Sequence, residues 1–185
     1  MRIIAGKHKN RVITTSKKFT YRPTTNKFRQ ALFSILNSPE FADEFPMSEA
    51  IVLDVYAGSG IIAFEAISRG AKLVTLIDNN KDHLKVAAEF AQKIGEAGKT
   101  SFLTLDALSL PKAKQQYNII FIDPPYYNNM ATLTIASLIK QGWLATKALI
   151  AVELAKTEDF EIPRELELIK KKIYGNNKLL ILTYE

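Results

Sequence analysis

Leu53-Asp54-Val55-Tyr56-Ala57-Gly58-Ser59-Gly60 decides how this chain is built. It closes the continuous apolar run 50–55 and leads straight into a helical pattern over 60–68, which Gly70 stops. A strand without polar alternation is buried on both faces, as in a parallel sheet covered by helices. The two glycines reach dihedrals closed to other residues and let backbone approach a ligand closely. The stretch therefore reads as first strand, ligand loop and first crossover helix of an open α/β sheet.

Downstream, strands and helices alternate. Strands are expected at 73–77, 101–105, 118–122 and 148–154, with helices at 81–94 and 130–140. Two terminal strands, 166–174 and 179–184, are joined by Gly175-Asn176-Asn177, a hairpin turn that adds antiparallel strands at one sheet edge. Upstream, 2–5 and 11–15 read as a hairpin around Gly6-Lys7-His8-Lys9-Asn10. A basic loop runs to Pro23. Thr24 or Thr25 can cap a helix over 26–37 with Phe28, Leu32, Ile35 and Leu36 on one face. The region 38–48 reads as a loop. The expected division is a basic extension over 1–39 and an α/β domain over 40–185.

A second loop carries the chemistry. Asp123-Pro124-Pro125-Tyr126 follows the apolar run 117–122, at the carboxyl end of a strand, where such sheets bind ligands. Asp123 and the Pro124 carbonyl can accept hydrogen bonds from an exocyclic amine. The prolines stiffen the loop and remove competing donors, and Tyr126 can stack on a planar ring. The bland alternative is a strand-ending turn, which these residue types also favour.

Gly58-x-Gly60-x-x-Ala63 matches a dinucleotide fingerprint, with Asp78 twenty residues after Gly58. A nicotinamide-dependent reductase is thus one reading. Asp54 argues for S-adenosylmethionine instead: an acid inside the strand suits a cationic amino-acid end and would repel a pyrophosphate. Asp106 with Ala107, after the third strand, is placed for an adenine amine. Alternatives remain at each acid: Asp54 as a strand terminator, Asp78 and Asp106 as helix caps. Tyr56 and Trp143 read as core or pocket wall. There is no P-loop and no Gly-x-Ser-x-Gly elbow.

Composition bounds the rest. The chain has 185 residues, 47% of them apolar, which suits one well-filled domain. It has no cysteine and two histidines, which excludes disulfides and thiol chemistry and argues against a metal site. No apolar run approaches membrane length and no signal peptide is evident, so a cytoplasmic protein is expected. The net charge of +6 is unevenly placed. Residues 1–39 hold nine lysines and arginines and no acid, and the remainder is slightly acidic. Such an asymmetry points to a polyanion partner; a solvated basic face is the alternative.

Taken together, the stretches Met1-Arg2-Ile3-Ile4-Ala5-Gly6-Lys7, Arg22-Pro23-Thr24-Thr25, Leu53–Gly60, Glu65-Ala66-Ile67-Ser68-Arg69-Gly70-Ala71, Phe121-Ile122-Asp123-Pro124-Pro125-Tyr126 and Tyr174-Gly175 span the chain. In them it resembles the RsmD family, the 16S rRNA (guanine(966)-N(2))-methyltransferases. The resemblance implies a Rossmann-like class I methyltransferase with a seven-stranded, mostly parallel sheet. It implies S-adenosylmethionine around Asp54, Tyr56, Ala57, Gly58, Ser59, Gly60, Asp78, Asn79, Asp106 and Ala107, and a guanine 2-amino group against Asp123–Tyr126. Phosphates of 16S rRNA in an assembling small subunit would meet Arg2, Lys7, His8, Lys9, Arg11, Arg22, Thr24, Thr25 and Arg29, with a monomer as the expected state. The chain departs from the family's usual acids at Asn26 and Gln30, and carries Asp78 where Glu is common. A DNA adenine-N6 methyltransferase and a non-catalytic RNA-binding module are the competing readings.

Overall fold

A computed structural model describes residues 1–14, 26–125 and 129–185. Arg22, Thr24, Thr25 and Tyr126 lie outside the described residues, as do the side chains of Asn26 and Lys27. The elements run α1 (Asn26–Leu36), α2 (Pro39–Ala42), β1 (Ile51–Val55), α3 (Ile61–Ser68), β2 (Leu73–Asp78), α4 (Lys81–Lys93), β3 (Thr100–Thr104), β4 (Tyr117–Ile122), α5 (Met130–Lys140), β5 (Leu144–Ala155), β6 (Leu166–Tyr174) and β7 (Asn177–Tyr184). Two of them correct the sequence reading. The loop after α1 contains α2, started by Pro39 at its first position, where the missing N–H costs nothing. Strand β5 begins at Leu144, because it continues past a register shift to pair Leu144 with Tyr117.

One seven-stranded sheet has the order β3-β2-β1-β4-β5-β7-β6. The first five strands are parallel, and β7 and β6 are antiparallel additions at the edge. The order reverses beside β1, so the ligand crevice of such a sheet opens between the carboxyl ends of β1 and β4. The Asp54–Gly60 and Asp123–Pro125 loops leave the sheet there.

Successive residues of each central strand serve opposite faces. Val52, Leu76, Ile119, Phe121, Leu149 and Ala151 pack with α1, α3 and α4. Leu53, Ile77, Ile120, Ile122, Ile150 and Val152 pack with α5. Asp54, two residues after Val52, falls on the α1–α3 face. Trp143 is core, stacked on Tyr117 with Nε1 donating to the Pro111 carbonyl at 2.9 Å.

The N-terminal residues share this core. Ile3, Ile13, Phe28, Leu32 and Phe33 are buried in the α1–α3 cluster, and each such side chain contributes about 1.5–3 kcal/mol. The expected hairpin is reduced to a single antiparallel bridge, Arg2 with Val12, plus turn hydrogen bonds. Two residues of bridge are too few to hold it alone, and α3 supplies the difference. Among the described residues, no helix is long and apolar enough to cross a membrane.

Candidate active site

The glycine loop is shaped by its backbone. Tyr56, Gly58 and Gly60 all have positive φ, at 65°, 54° and 77°. At Gly60 a Cβ would stand 2.4 Å from the Leu76 side chain and 2.9 Å from Phe64, so only glycine fits. Tyr56 is not glycine, yet takes the left-handed conformation and is held by a 2.7 Å hydrogen bond between its hydroxyl and Thr134 of α5. Its half-buried ring packs against the core on the α5 side of the sheet. Ala57 and Ser59 are buried in the turn, which the Gly60 N–H closes onto the Ala57 carbonyl at 2.7 Å.

Three acids frame this loop. Asp54 Oδ2 accepts from the Ala63 N–H at 3.1 Å. That satisfies one of the four N–H groups the first turn of α3 leaves unpaired, in place of a side chain at Gly60. Asp54 is buried, and burial pushes its carboxyl up to about 8; the Ala63 N–H opposes the shift, and the charges of Asp123 and Asp78 add to it. Asp78 Oδ2 accepts from the Gly58 N–H at 2.8 Å, and Oδ1 from the Asn80 N–H at 2.8 Å. It thus splints the glycine loop to the end of β2, beside exposed Asn79. Asp106 is exposed, with Oδ1 accepting from the Leu108 N–H at 2.9 Å, next to buried Ala107.

The alternative roles do not describe these acids: Asp54 lies inside β1 and serves the Ala63 N–H, and α4 is capped by Asn80 while Asp78 serves the Gly58 and Asn80 N–H groups with His83 Nδ1 3.3 Å away. A carboxylate has about four acceptor positions, so those bonds leave capacity for a ligand. The donor set fits S-adenosylmethionine. Asp54 would meet the ammonium, Asp78 the ribose hydroxyls and Asp106 the adenine amine, with the close backbone of Gly58–Gly60 against the molecule.

Beside the loop, a small cleft of about 20 Å³ is lined by Asp54, Ile62, Phe121, Asp123, Ala151 and Glu153, with α1 as the opposite wall. Asp123 is half-buried, Pro124 buried and Pro125 exposed. The sequence reading did not include Glu153. Its signal was a lone acid inside the apolar strand 148–154, a costly placement without a partner or a purpose.

The expected phosphate contacts divide. Arg2, Lys9 and Arg11 are exposed on the hairpin. Lys7 is also exposed, at 71%, with Nζ on Glu96 Oε1 at 2.9 Å. His8 is buried, with Nε2 on the same oxygen at 2.7 Å. Burial alone would push Glu96 up, but the hydrogen bonds from Lys7 and His8 outweigh it and hold the carboxyl below its ordinary value. Arg29 is 0% exposed, with Nη2 donating to the Arg2 carbonyl at 3.1 Å. Burial lowers its pKa, and the charge of Glu65 partly offsets this. His8 and Arg29 are therefore internal supports of the hairpin, not surface groups in this arrangement.

The motif Glu65–Ala71 acquires a physical role. Glu65, 0% exposed, accepts from the Ile4 N–H at 2.8 Å, the Ala5 N–H at 3.0 Å and Arg69 at 2.9 Å. The Ser68 hydroxyl donates to the Ala5 carbonyl and accepts from the His8 N–H. The Lys7 N–H donates to the Ser68 carbonyl at 2.7 Å. A Cβ at Gly6 would stand 1.8 Å from that carbonyl oxygen. The opening stretch and the α3 stretch are two halves of one joint.

A 3-2-1-4-5-7-6 sheet with a glycine loop after β1 and an acid-Pro-Pro loop after β4 is the class I methyltransferase fold, whose methyl donor is S-adenosylmethionine. Residues 1–183 match the model of the family described as conserved hypothetical protein 95, and the chain belongs to that family. It is similar to an uncharacterized methylase of Rickettsia prowazekii, 34% identical over 100% of this chain and 98% of that one. It is also similar to ribosomal RNA small subunit methyltransferase D of Escherichia coli, 32% identical over 95% of this chain and 85% of the relative. Among solved structures it is similar to a putative methyltransferase of Escherichia coli, with a TM-score of 0.84, 28% identity, and coverage of 100% and 98%. The chain is thus an RsmD-like methyltransferase.

Proposed function

We propose that this methyltransferase modifies the N2 amine of a guanine in 16S ribosomal RNA, within an assembling small subunit. The observation that carries the reading is the joint between Glu65 and the opening residues. It fixes an exposed basic surface, Arg2, Lys9 and Arg11, to the helix that leaves the donor loop. A polyanion gripped there lies in fixed relation to Asp123, and the relatives named for small-subunit ribosomal RNA support that substrate. The basic surface contributes affinity without reading bases.

The guanine amine is a weak nucleophile because its lone pair is delocalised into the ring. Asp123 and the Pro124 carbonyl would hold its two protons and favour rehybridisation toward nitrogen. S-adenosylmethionine, when bound, would supply an electrophilic methyl carbon that the N2 lone pair takes, the carbon–sulfur electron pair staying on sulfur. Asp123 then accepts the N2 proton, directly or through water. Tyr126, in the same tetrapeptide, would stack on the extruded base. Most of the acceleration comes from alignment, for which well-oriented systems supply about 7–11 kcal/mol.

The test is transfer of a labelled methyl group to small subunits lacking the modification, followed by nucleoside mass spectrometry. N2-methylguanosine is the expected product. N6-methyladenosine would keep the chemistry and overturn the acceptor. Donor binding without transfer to any nucleic acid would leave a non-catalytic RNA-binding module.

A further inference from the structure

We infer that Glu153 reads the N1–H of the acceptor guanine and thereby selects guanine over bases that carry an acceptor at that position. The inference rests on the guanine reading above and deepens it.

The placement follows from register. In the parallel pair β4–β5, Phe121 stands opposite Ala151 and Ile122 opposite Val152. The next residues, Asp123 just past β4 and Glu153 within β5, therefore stand side by side. Alternation puts both on the face of Phe121 and Ala151, and all four line the same cleft. Glu153 is 4% exposed. Its Oε1 accepts from the amide of Asn177, itself buried at the start of β7. That bond anchors one carboxylate oxygen of Glu153, a residue that lines the cleft together with Asp123.

A carboxylate is an acceptor only. Guanine presents adjacent donors, N1–H and the 2-amino group, along one edge. Asp123 and the Pro124 carbonyl take the amine, and the neighbouring acid takes N1–H. Adenine offers its amine beside an N1 lone pair, which would face a second lone pair on Glu153. Leaving buried acceptors opposed is the most effective way for a site to reject a close analogue. The same Pro-Pro loop can serve either exocyclic amine, so the choice between them must come from a neighbour, and Glu153 is placed to make it.

The test uses small subunits reconstituted on ribosomal RNA with guanine or 2-aminopurine at the acceptor position. 2-Aminopurine keeps the 2-amino group but has a lone pair at N1. The wild-type protein should prefer guanine in kcat/KM by about 10- to 100-fold, the usual discrimination from one good base-edge contact. In Glu153→Gln, Oε1 can stay on Asn177, which leaves the amide nitrogen to donate toward N1. The preference should then vanish or invert, while S-adenosylmethionine affinity by calorimetry stays within about twofold of wild type, the ordinary scatter of a change outside that site. An unchanged ratio, with both rates lowered together, would make Glu153 a structural group and overturn the inference. Loss of donor affinity would assign the carboxylate to the ammonium group and overturn it equally. Absence of N2-methylguanosine from the wild-type reaction would instead bring down the acceptor reading beneath it.

Discussion

The Ile4 N–H donates to Glu65 Oε2 at 2.8 Å, across 61 residues of sequence. The carboxylate also takes the Ala5 N–H and Arg69 and is fully buried, so it ties two backbone donors and one guanidinium at once. Removing it strands all three. Glu65→Ala should cost about 3–5 kcal/mol, the range for a buried ion pair that loses one partner. Urea denaturation measures this. Limited proteolysis of the same variant under native conditions should cut within the first 14 residues before any other site. A loss under about 1 kcal/mol with an intact N-terminus would show that Ile3 and Ile13 suffice to dock the hairpin.

The basic surface has a distinct signature. Lys9 and Arg11 are exposed, whereas Lys7 is paired with Glu96. Lys9→Glu combined with Arg11→Glu should weaken subunit binding and lower the slope of log K against log salt by about 1.4–1.8, at roughly 0.7–0.9 for each phosphate no longer neutralised. S-adenosylmethionine affinity should not move. Filter binding from about 50 to about 300 mM salt checks the slope. An unaltered slope would mean that the hairpin does not meet phosphates.

How much of this was readable from residue types alone differs by feature. The sheet was legible because β1, β2 and β4 are buried on both faces and therefore lack polar alternation, and because Gly60 admits no side chain beside Leu76. The pairing of hairpin with α3 was not legible. Ile4 and Ala5 use backbone N–H groups, which leave no mark on residue type, and Glu65 lies on a helix buried all round, so its position carries no amphipathic signal. Arg29 was readable in principle: it precedes Phe33 by four residues and Leu36 by seven, which puts it on the buried stripe of α1. Charge type outweighed position in the reading, and position decided the structure. The start of β5 at Leu144 escaped because exposed Thr146 and Lys147, the latter at positive φ, interrupt the apolar pattern that Ala148 resumes.

Asp54 makes pH a probe of donor binding. Its carboxyl is raised from an ordinary value of 3.8 to about 8, burial being the main cause. Between those values the folded protein keeps a proton that the unfolded chain has released. Its contribution to stability is therefore full below about pH 4 and is lost as pH rises through about 8. The melting temperature of the ligand-free protein should fall between about pH 5 and pH 8, and Asp54→Asn should flatten that part of the profile. An ammonium group arriving beside Asp54 favours the ionised form, so donor binding near pH 7 should release close to one proton. Calorimetry in buffers of different ionisation enthalpy counts it. No proton release would place the ammonium elsewhere.

Asp123 is assigned to the acceptor amine and not to the donor, and the two roles separate in one variant. Asp123→Asn keeps the shape of the side chain, but its amide cannot accept the N2 proton and turns a donor toward an amine that needs acceptors. Transfer should drop by about 10²–10⁴-fold, the span for a lost acid–base group. Donor affinity should stay near wild type, because the acids proposed to hold the donor, Asp54, Asp78 and Asp106, are untouched. A second readout guards against a merely structural effect. The charge of Asp123 helps to raise the Asp54 carboxyl, so in Asp123→Asn the midpoint of the pH-dependent stability should move down while the fold persists. A variant that keeps its melting temperature, shifts that midpoint and loses only transfer fits the assignment. One that loses donor binding instead would move Asp123 into the donor site and leave the acceptor amine to the Pro124 carbonyl and Glu153.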